Sequence, residues 1–217
     1  MMPLRRILGA PSSLEAFDDE EHDREEERRR RARAVKLAES EIPLTYRTDL
    51  SDPALLDRVG SFTQAGKRVG GPKAIAESLA AIREPYVLWT GGTATGKSVL
   101  AGASAISRVK AEGRGSLMMI RAGLLACASR YSGLGRGMPP ELEKAKKVDL
   151  LILDEIGERL KSGQWDDVAE VVFYRYENGL PLWATTWLTE RGMGVEQGYG
   201  GGFARRIFGG REIRCGA

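Results

Sequence analysis

Gly91-Gly92-Thr93-Ala94-Thr95-Gly96-Lys97-Ser98 is the stretch that decides how the rest of the chain is read. Its spacing is G-x-x-x-x-G-K-[ST]. The apolar run Tyr86-Val87-Leu88-Trp89-Thr90 stands directly before it, and a helical pattern follows. Strand, loop and helix in that order are the context a phosphate-binding loop needs. The glycines permit a turn in which successive N–H groups point inward at phosphate oxygens. Lys97 reaches the β- and γ-phosphates as a mobile point charge. Ser98 offers a hydroxyl to Mg²⁺ and opens a helix whose positive end faces the phosphates.

A second signature lies downstream. Val148-Asp149-Leu150-Leu151-Ile152-Leu153 is apolar except for Asp149, which is how a strand buried on both faces reads. It delivers Asp154 and Glu155 to its end. A carboxylate there can hold Mg²⁺, usually through water, and Asp154 takes that role. Glu155, one residue further, can orient an attacking water or accept its proton. Two carboxylates in sequence suit hydrolysis better than transfer to a substrate hydroxyl, which disfavours a small P-loop kinase. A polar residue from a neighbouring strand often approaches the γ-phosphate. Thr185 and Thr186, at the end of Leu182-Trp183-Ala184-Thr185-Thr186, are the candidates. Arginines that could stabilise charge on the γ-phosphate, also in trans from a neighbouring subunit, are Arg205, Arg206 and Arg175.

Outward from these motifs, strands and helices alternate. Helices are expected from Pro72 to Arg83, with Ile75, Leu79 and Ile82 on one face, and from Ser98 to Glu112, with Val99, Ala103, Ile106 and Val109 inward. A strand at 117–120, helices at 121–131 and 141–147, a helix from Gln164 to Asn178 carrying Val168, Val172 and Tyr176, and a short helix at 203–208 follow. Arg211 to Cys215 reads as a closing strand. Gly198 to Gly202 reads as flexible. Such alternation means a parallel sheet with right-handed crossovers and helices on both faces.

Composition sets outer limits. The 217 residues are 42% hydrophobic and 29% charged, with a net charge of +3. That balance does not demand a nucleic-acid partner. No apolar run approaches the roughly 20 residues of a membrane span, and the N-terminus lacks the apolar core of a secretory signal. Cys127 and Cys215 match no metal spacing and suggest no disulfide framework. A cytoplasmic protein is the expectation. Charge is nonetheless segregated. Residues 18–27 are mostly acidic, 28–36 strongly basic, and the tail from Arg191 basic again. Residues 14–40 contain no Pro or Gly and favour a helix, supported by Glu26–Arg30 and Glu27–Arg31 at i,i+4. With apolar residues sparse before Ala34, residues 1–41 read as a charged arm, either a solvated helix or a docking element, ahead of a core at 42–217.

Several runs together resemble the DnaC/IstB-type AAA+ ATPases. They are Ile42-Pro43-Leu44-Thr45-Tyr46-Arg47, Gly91–Ser98, Leu153-Asp154-Glu155-Ile156-Gly157, Arg175-Tyr176 with Gly179-Leu180-Pro181, and Ala204-Arg205-Arg206-Ile207. The resemblance spans roughly residues 42–215. It implies an ATPase that uses ATP and Mg²⁺, binds single-stranded DNA, forms a nucleotide-dependent homo-oligomer, and loads a replicative helicase or assists a transposase. It makes Asp154 and Glu155 the Walker B pair and Arg206 the arginine finger, and it puts strand 182–186 between the phosphate-loop strand and the Walker B strand. This sequence departs from the pattern in three ways. Trp187 replaces the usual sensor asparagine, leaving Thr186 as substitute. No cysteine-rich zinc module precedes the core, and no helical lid domain is expected after it.

The expected site is therefore Gly91, Gly92, Thr93, Ala94, Thr95, Gly96, Lys97, Ser98 and Asp154 for Mg·ATP, with Ser98 and Asp154 on the metal and Glu155, Arg206 and Thr186 catalytic. Arg130, Tyr131, Arg136, Lys144, Lys146 and Lys147 are the candidates for single-stranded DNA. The arm is the candidate docking element for the helicase or transposase. Helicase loader is the first reading. Transposition helper and a nucleotide-gated adaptor with negligible hydrolysis are the alternatives.

Overall fold

Alternation along the central strands builds the core. Val87, Trp89, Ile152 and Trp183 face one side, and Leu88, Leu151, Leu153 and Ala184 face the other, all buried. Successive side chains on a strand point to opposite faces, so each strand must be covered by helices on both sides. The computed structural model describes residues 13–62, 68–128, 138–157, 165–196 and 199–216.

In chain order the helices are α1 (Ser13–Ser40), α2 (Gly71–Ala80), α3 (Lys97–Glu112), α4 (Ala122–Leu125), α5 (Pro140–Lys147), α6 (Asp166–Glu177) and α7 (Gly201–Phe208). The strands are β1 (Ser61–Phe62), β2 (Arg68–Val69), β3 (Tyr86–Thr90), β4 (Leu117–Arg121), β5 (Leu150–Ile156), β6 (Leu182–Thr186) and β7 (Arg211–Arg214). Strands β1 and β2 form a small antiparallel pair. The main sheet has five strands in the order β4-β5-β6-β3-β7. Every pairing in it is parallel. Strand β6 lies between β3 and β5, as the resemblance implies. One face is covered by α2, α3 and the end of α1, the other by α4 to α7.

Five local readings change. On α2 the buried face is Ala74, Ser78 and Ala81, while Leu79 is 56% exposed. Ser78 wins an inward place because its hydroxyl accepts the indole N–H of buried Trp89 at 2.9 Å. On α6 the buried row is Val168, Val171, Val172 and Arg175, leaving Tyr176 exposed. Strand β5 runs on through Asp154 and Glu155 instead of ending at Leu153. Helix α7 starts at Gly201, inside the stretch read as flexible, because Phe203, Ala204 and Ile207 bury one face of it. The helix expected at 121–131 ends at Leu125, where Ala126 caps it and a turn follows, and residues 129–131 lie outside the described residues.

Among its described residues the arm is a single helix over Ser13–Ser40, 28 residues long. Residues 21–33 are exposed throughout. The i,i+4 pairs Glu26–Arg30 and Glu27–Arg31 form at 2.9 Å, with Glu25–Arg29 beside them at 3.2 Å. From Ala34 the helix meets the core. Ala34 and Val35 are partly buried against it, and Ala38 and Ile42 are fully buried. Arg31 lies over Gly113, where an added Cβ would come 2.7 Å from its Cγ. The packing therefore begins seven residues before the expected arm boundary at 41.

Candidate functional site

The phosphate loop joins β3 to α3, and two close approaches dictate its glycines. Gly91 has φ 142°, and a Cβ there would collide with the Cys215 carbonyl oxygen at the end of β7. Gly96 has φ 86°, and its Cβ would lie 2.5 Å from the Arg58 carbonyl oxygen. Both positions combine a left-handed backbone with a neighbouring carbonyl, which only glycine tolerates. Ala94 is also left-handed, at φ 61°. Helix α3 starts at Lys97, so its first N–H groups open toward the loop. Thr95 Oγ1 donates to the Gly92 carbonyl at 2.9 Å. Lys97 Nζ donates to the Gly91 and Gly92 carbonyls at 2.9 and 2.6 Å. Burial lowers the Lys97 pKa, and Cys215, Asp154 and Glu155 oppose that shift.

The Asp154–Glu155 pair sits on a bulge. Leu153 pairs with Ala184 and Ile156 with Thr186, so β5 spends one residue more than β6 over this interval. The extra residue bends the strand and re-aims side chains. Glu155 has φ 58°, one of two left-handed non-glycine residues among those described, the other being Ala94. Such a backbone costs about 1 kcal/mol and persists only where neighbours hold it. Here Thr185 holds it. Its hydroxyl donates to Asp154 Oδ1 at 2.7 Å and accepts the Glu155 N–H at 2.9 Å. Asp154 is buried, while Glu155 is half-exposed and turned to the cleft. Arg121, at the end of β4, meets Glu155 Oε2 at 2.6 Å.

The cleft has a volume of about 440 Å³. Thr93 to Val99, Glu155, Thr186 and Trp187 line it, and Tyr46 and Arg58 close it from the lead-in side. Thr186 is buried, and its hydroxyl is committed: it donates to the Ile156 carbonyl at 2.5 Å and accepts the Leu188 N–H at 3.1 Å. Trp187 is 54% exposed at the rim. Burial, followed by the nearby Asp154 carboxylate, raises the Tyr46 phenol pKa, and the Ser98 side chain opposes that shift.

The residues fit a magnesium nucleotide. Gly91 and Gly96 let the loop turn against the Cys215 and Arg58 carbonyls, Lys97 and Ser98 line the cleft, and Asp154, buried behind Glu155, would supply with Ser98 the hard oxygen donors Mg²⁺ takes. The ion, when bound, neutralises charge on the β- and γ-phosphate oxygens.

The other candidates are distributed as follows. Arg206 does not line its own chain's cleft. Its guanidinium stacks over Phe173 at 4.5 Å and Tyr176 at 5.2 Å, with Nη1 donating to the Gly202 carbonyl at 3.0 Å. Arg205 is exposed and bonds the Gly201 carbonyl. Arg175 is fully buried and structural: its guanidinium donates to the carbonyls of Ala145, Lys146 and Pro181. Burial pushes its pKa down to about 10. It therefore ties α5, α6 and the entry to β6 together, far from any phosphate role. Lys144, Lys146 and Lys147 pair with Glu41, Glu170 and Glu143 at 2.6, 2.5 and 2.6 Å. Arg130, Tyr131 and Arg136 lie outside the described residues.

Three site residues escaped sequence reasoning: Arg58, Arg121 and the particular part played by Tyr46. Tyr46 had a signal, since it belongs to the Ile-Pro lead-in. Arg121 and Arg58 had none, because only the parallel pairing of β4 with β5 and the crossing of the Arg58 carbonyl over Gly96 bring them in.

No family model matches the sequence, and no curated protein matches it. Solved structures do. The DnaC helicase loader is similar with a TM-score of 0.59 and 19% identity, over 79% of this chain and 99% of that one. DnaI is similar with a TM-score of 0.56 and 21% identity, over 76% and 95%. The replication initiator DnaA bound to AMPPCP and single-stranded DNA is similar with a TM-score of 0.54 and 19% identity, over 76% of this chain and 51% of that one. At these identities the likeness is one of fold. The chain has an α/β P-loop fold of AAA+ type, and its structural neighbours are those the resemblance to DnaC/IstB-type proteins leads one to expect.

Proposed function

We propose that this chain is an ATP-dependent DNA replication protein that binds Mg·ATP and works as a helicase loader. The Asp154–Glu155 bulge carries the reading. It turns Glu155 into the same cleft as Lys97 and Ser98, while Thr185 fixes Asp154 behind it. A carboxylate facing a phosphate loop in this way suits activation of a water against the γ-phosphate. The helicase loaders among the structural neighbours support the choice of process, and the neighbour carrying AMPPCP supports the choice of nucleotide.

On this reading Lys97 and the loop amides hold the phosphates, Ser98 and Asp154 the Mg²⁺, and Glu155 the attacking water. Arg206, braced on Phe173 and Tyr176 away from its own cleft, is suited to reach a neighbouring subunit's nucleotide, so the protein assembles as a nucleotide-dependent oligomer. Arg130, Tyr131 and Arg136 are the single-stranded DNA candidates, since the lysines beside them are already paired with carboxylates. The exposed part of α1 is the docking element for the partner, with the division between arm and core near residue 33. No described helix is long and apolar enough to cross a membrane, and a cytoplasmic site of action fits the reading.

The Arg121–Glu155 contact favours a second reading, a nucleotide-gated adaptor with slow turnover, because the guanidinium occupies a carboxylate oxygen that would otherwise face the attacking water. One experiment separates the readings. ATP hydrolysis is measured for the wild type and Glu155→Gln, and each is used to capture the replicative helicase or a transposase. Turnover lost in Glu155→Gln with retained helicase capture supports the loader. Equal, negligible turnover in both supports the adaptor, and transposase capture supports the transposition helper.

A further inference from the structure

The lead-in segment before the core is built against the first turns of α3. Ile42 is buried, and its carbonyl accepts Arg47 Nε at 2.8 Å. A short 3-10 turn over Leu44–Tyr46 follows, and the Arg58 guanidinium holds the Thr45 carbonyl. This turn rests directly on helix backbone. A Cβ at Gly102 would lie 3.0 Å from the Tyr46 carbonyl oxygen and 3.1 Å from the Tyr46 Cβ. Gly102 and Ser98 are one turn apart on the same face of α3, so a segment seated on Gly102 carries its side chain to Ser98. Tyr46 ends there: it lines the cleft together with Ser98, Lys97 and Glu155, and its phenol senses the Ser98 side chain.

We propose that Tyr46 is a positioning residue for the metal end of the nucleotide site, its phenol orienting the Ser98 hydroxyl so that a lone pair is presented to Mg²⁺. The inference rests on the Mg·ATP reading above. A serine hydroxyl has one proton and two lone pairs. A metal takes a lone pair, and the proton then needs an acceptor that does not compete for the ion. The Tyr46 phenol oxygen, on the same cleft wall as Ser98, is a neutral acceptor. Outer partners of metal ligands act in this way, and removing one typically costs about 10-fold or more in metal affinity.

The test is calorimetric titration of ATP into the full chain, once with Mg²⁺ and once with EDTA, for wild type and Tyr46→Phe. The phenylalanine ring keeps the packing on Gly102 and removes only the hydroxyl. The expected result is an Mg²⁺-dependent gain in affinity that falls about 10-fold in Tyr46→Phe, with the EDTA arm within about two-fold of wild type. In a Ser98→Ala background, Tyr46→Phe should change nothing further, because the partner is already gone. An unchanged Mg²⁺ gain in Tyr46→Phe overturns the proposal, as does an equal fall in both arms, which would make Tyr46 a packing residue only. Wild-type chain that fails to bind ATP in either arm overturns the nucleotide reading itself.

Discussion

Thr185 Oγ1 stands 2.7 Å from Asp154 Oδ1 and 2.9 Å from the Glu155 amide nitrogen, so one hydroxyl on β6 fixes both members of the acidic pair on β5. Thr185→Val should strip a buried carboxylate of its donor and the Glu155 N–H of its acceptor. The expected cost is about 1–3 kcal/mol of stability, with a loss of Mg²⁺-dependent turnover. Thr185→Ser should restore most of both. Thermal melting and steady-state hydrolysis on the two variants are the checks, and a fully active Thr185→Val would remove Thr185 from the site.

The pairing of Arg121 with Glu155 at 2.6 Å makes a prediction of opposite sign. Arg121→Ala should free the carboxylate and raise basal turnover several-fold, while both side chains are exposed enough that stability should change by less than about 1 kcal/mol. A fall in turnover with weakened ATP binding would instead make Arg121 a nucleotide ligand.

Truncation locates the boundary of the arm. Removal of residues 1–33 takes away the exposed positions 21–33, of which Arg31 lies over Gly113, so folding and ATP affinity should survive and partner capture should be lost. Removal of residues 1–40 also deletes Ala38 and the half-buried Ala34 and Val35, which should cost about 2 kcal/mol more. Circular dichroism melting and partner capture on the two truncations decide it. Equal melting temperatures would mean the end of α1 contributes nothing to the core, and surviving capture would put the docking surface on the core.

Acid should loosen the lead-in. Lys110 donates to Asp49 at 2.5 Å and Ser51 bonds the same carboxylate, which together bring the Asp49 pKa down to about 2. A depressed carboxylate pKa stabilises the fold above the unfolded value near 4, and that contribution disappears as pH falls from about 4 to 2. Lys110 is half-exposed while Asp49 is partly buried, so the pair is worth about 1 kcal/mol. Asp49→Asn should be slightly less stable than wild type at pH 7 and equal to it at pH 2. A difference that persists at pH 2 would mean packing rather than charge.

The sheet was legible because its signals are local. The continuous apolar run before Asp154, the glycine and lysine spacing at 91–98, and the exact strand at 182–186 need no tertiary information. Where the reading slipped, a long-range partner was responsible. Ser78 displaced Leu79 from the inward face of α2 through a bond to Trp89. Arg175 took an inward place on α6 because three carbonyls from α5 and Pro181 converge on it. Strand β5 outran its apolar run because Thr185, 31 positions from Asp154, bonds both polar residues at its end. In the site, the phosphate loop and acidic pair were legible by spacing, whereas Arg121 and Arg58 enter only through the register of β4 on β5 and a backbone crossing at Gly96.

The central claim is that Lys97, in a loop whose turns Gly91 and Gly96 make possible, holds nucleotide phosphate. Titration of Mg·ATP into wild type and Lys97→Ala tests it most directly. Saturable binding by wild type and none by Lys97→Ala, with both chains melting at the same temperature, is the predicted result, because the anionic oxygens lose their cation. Unchanged affinity in Lys97→Ala would contradict the account.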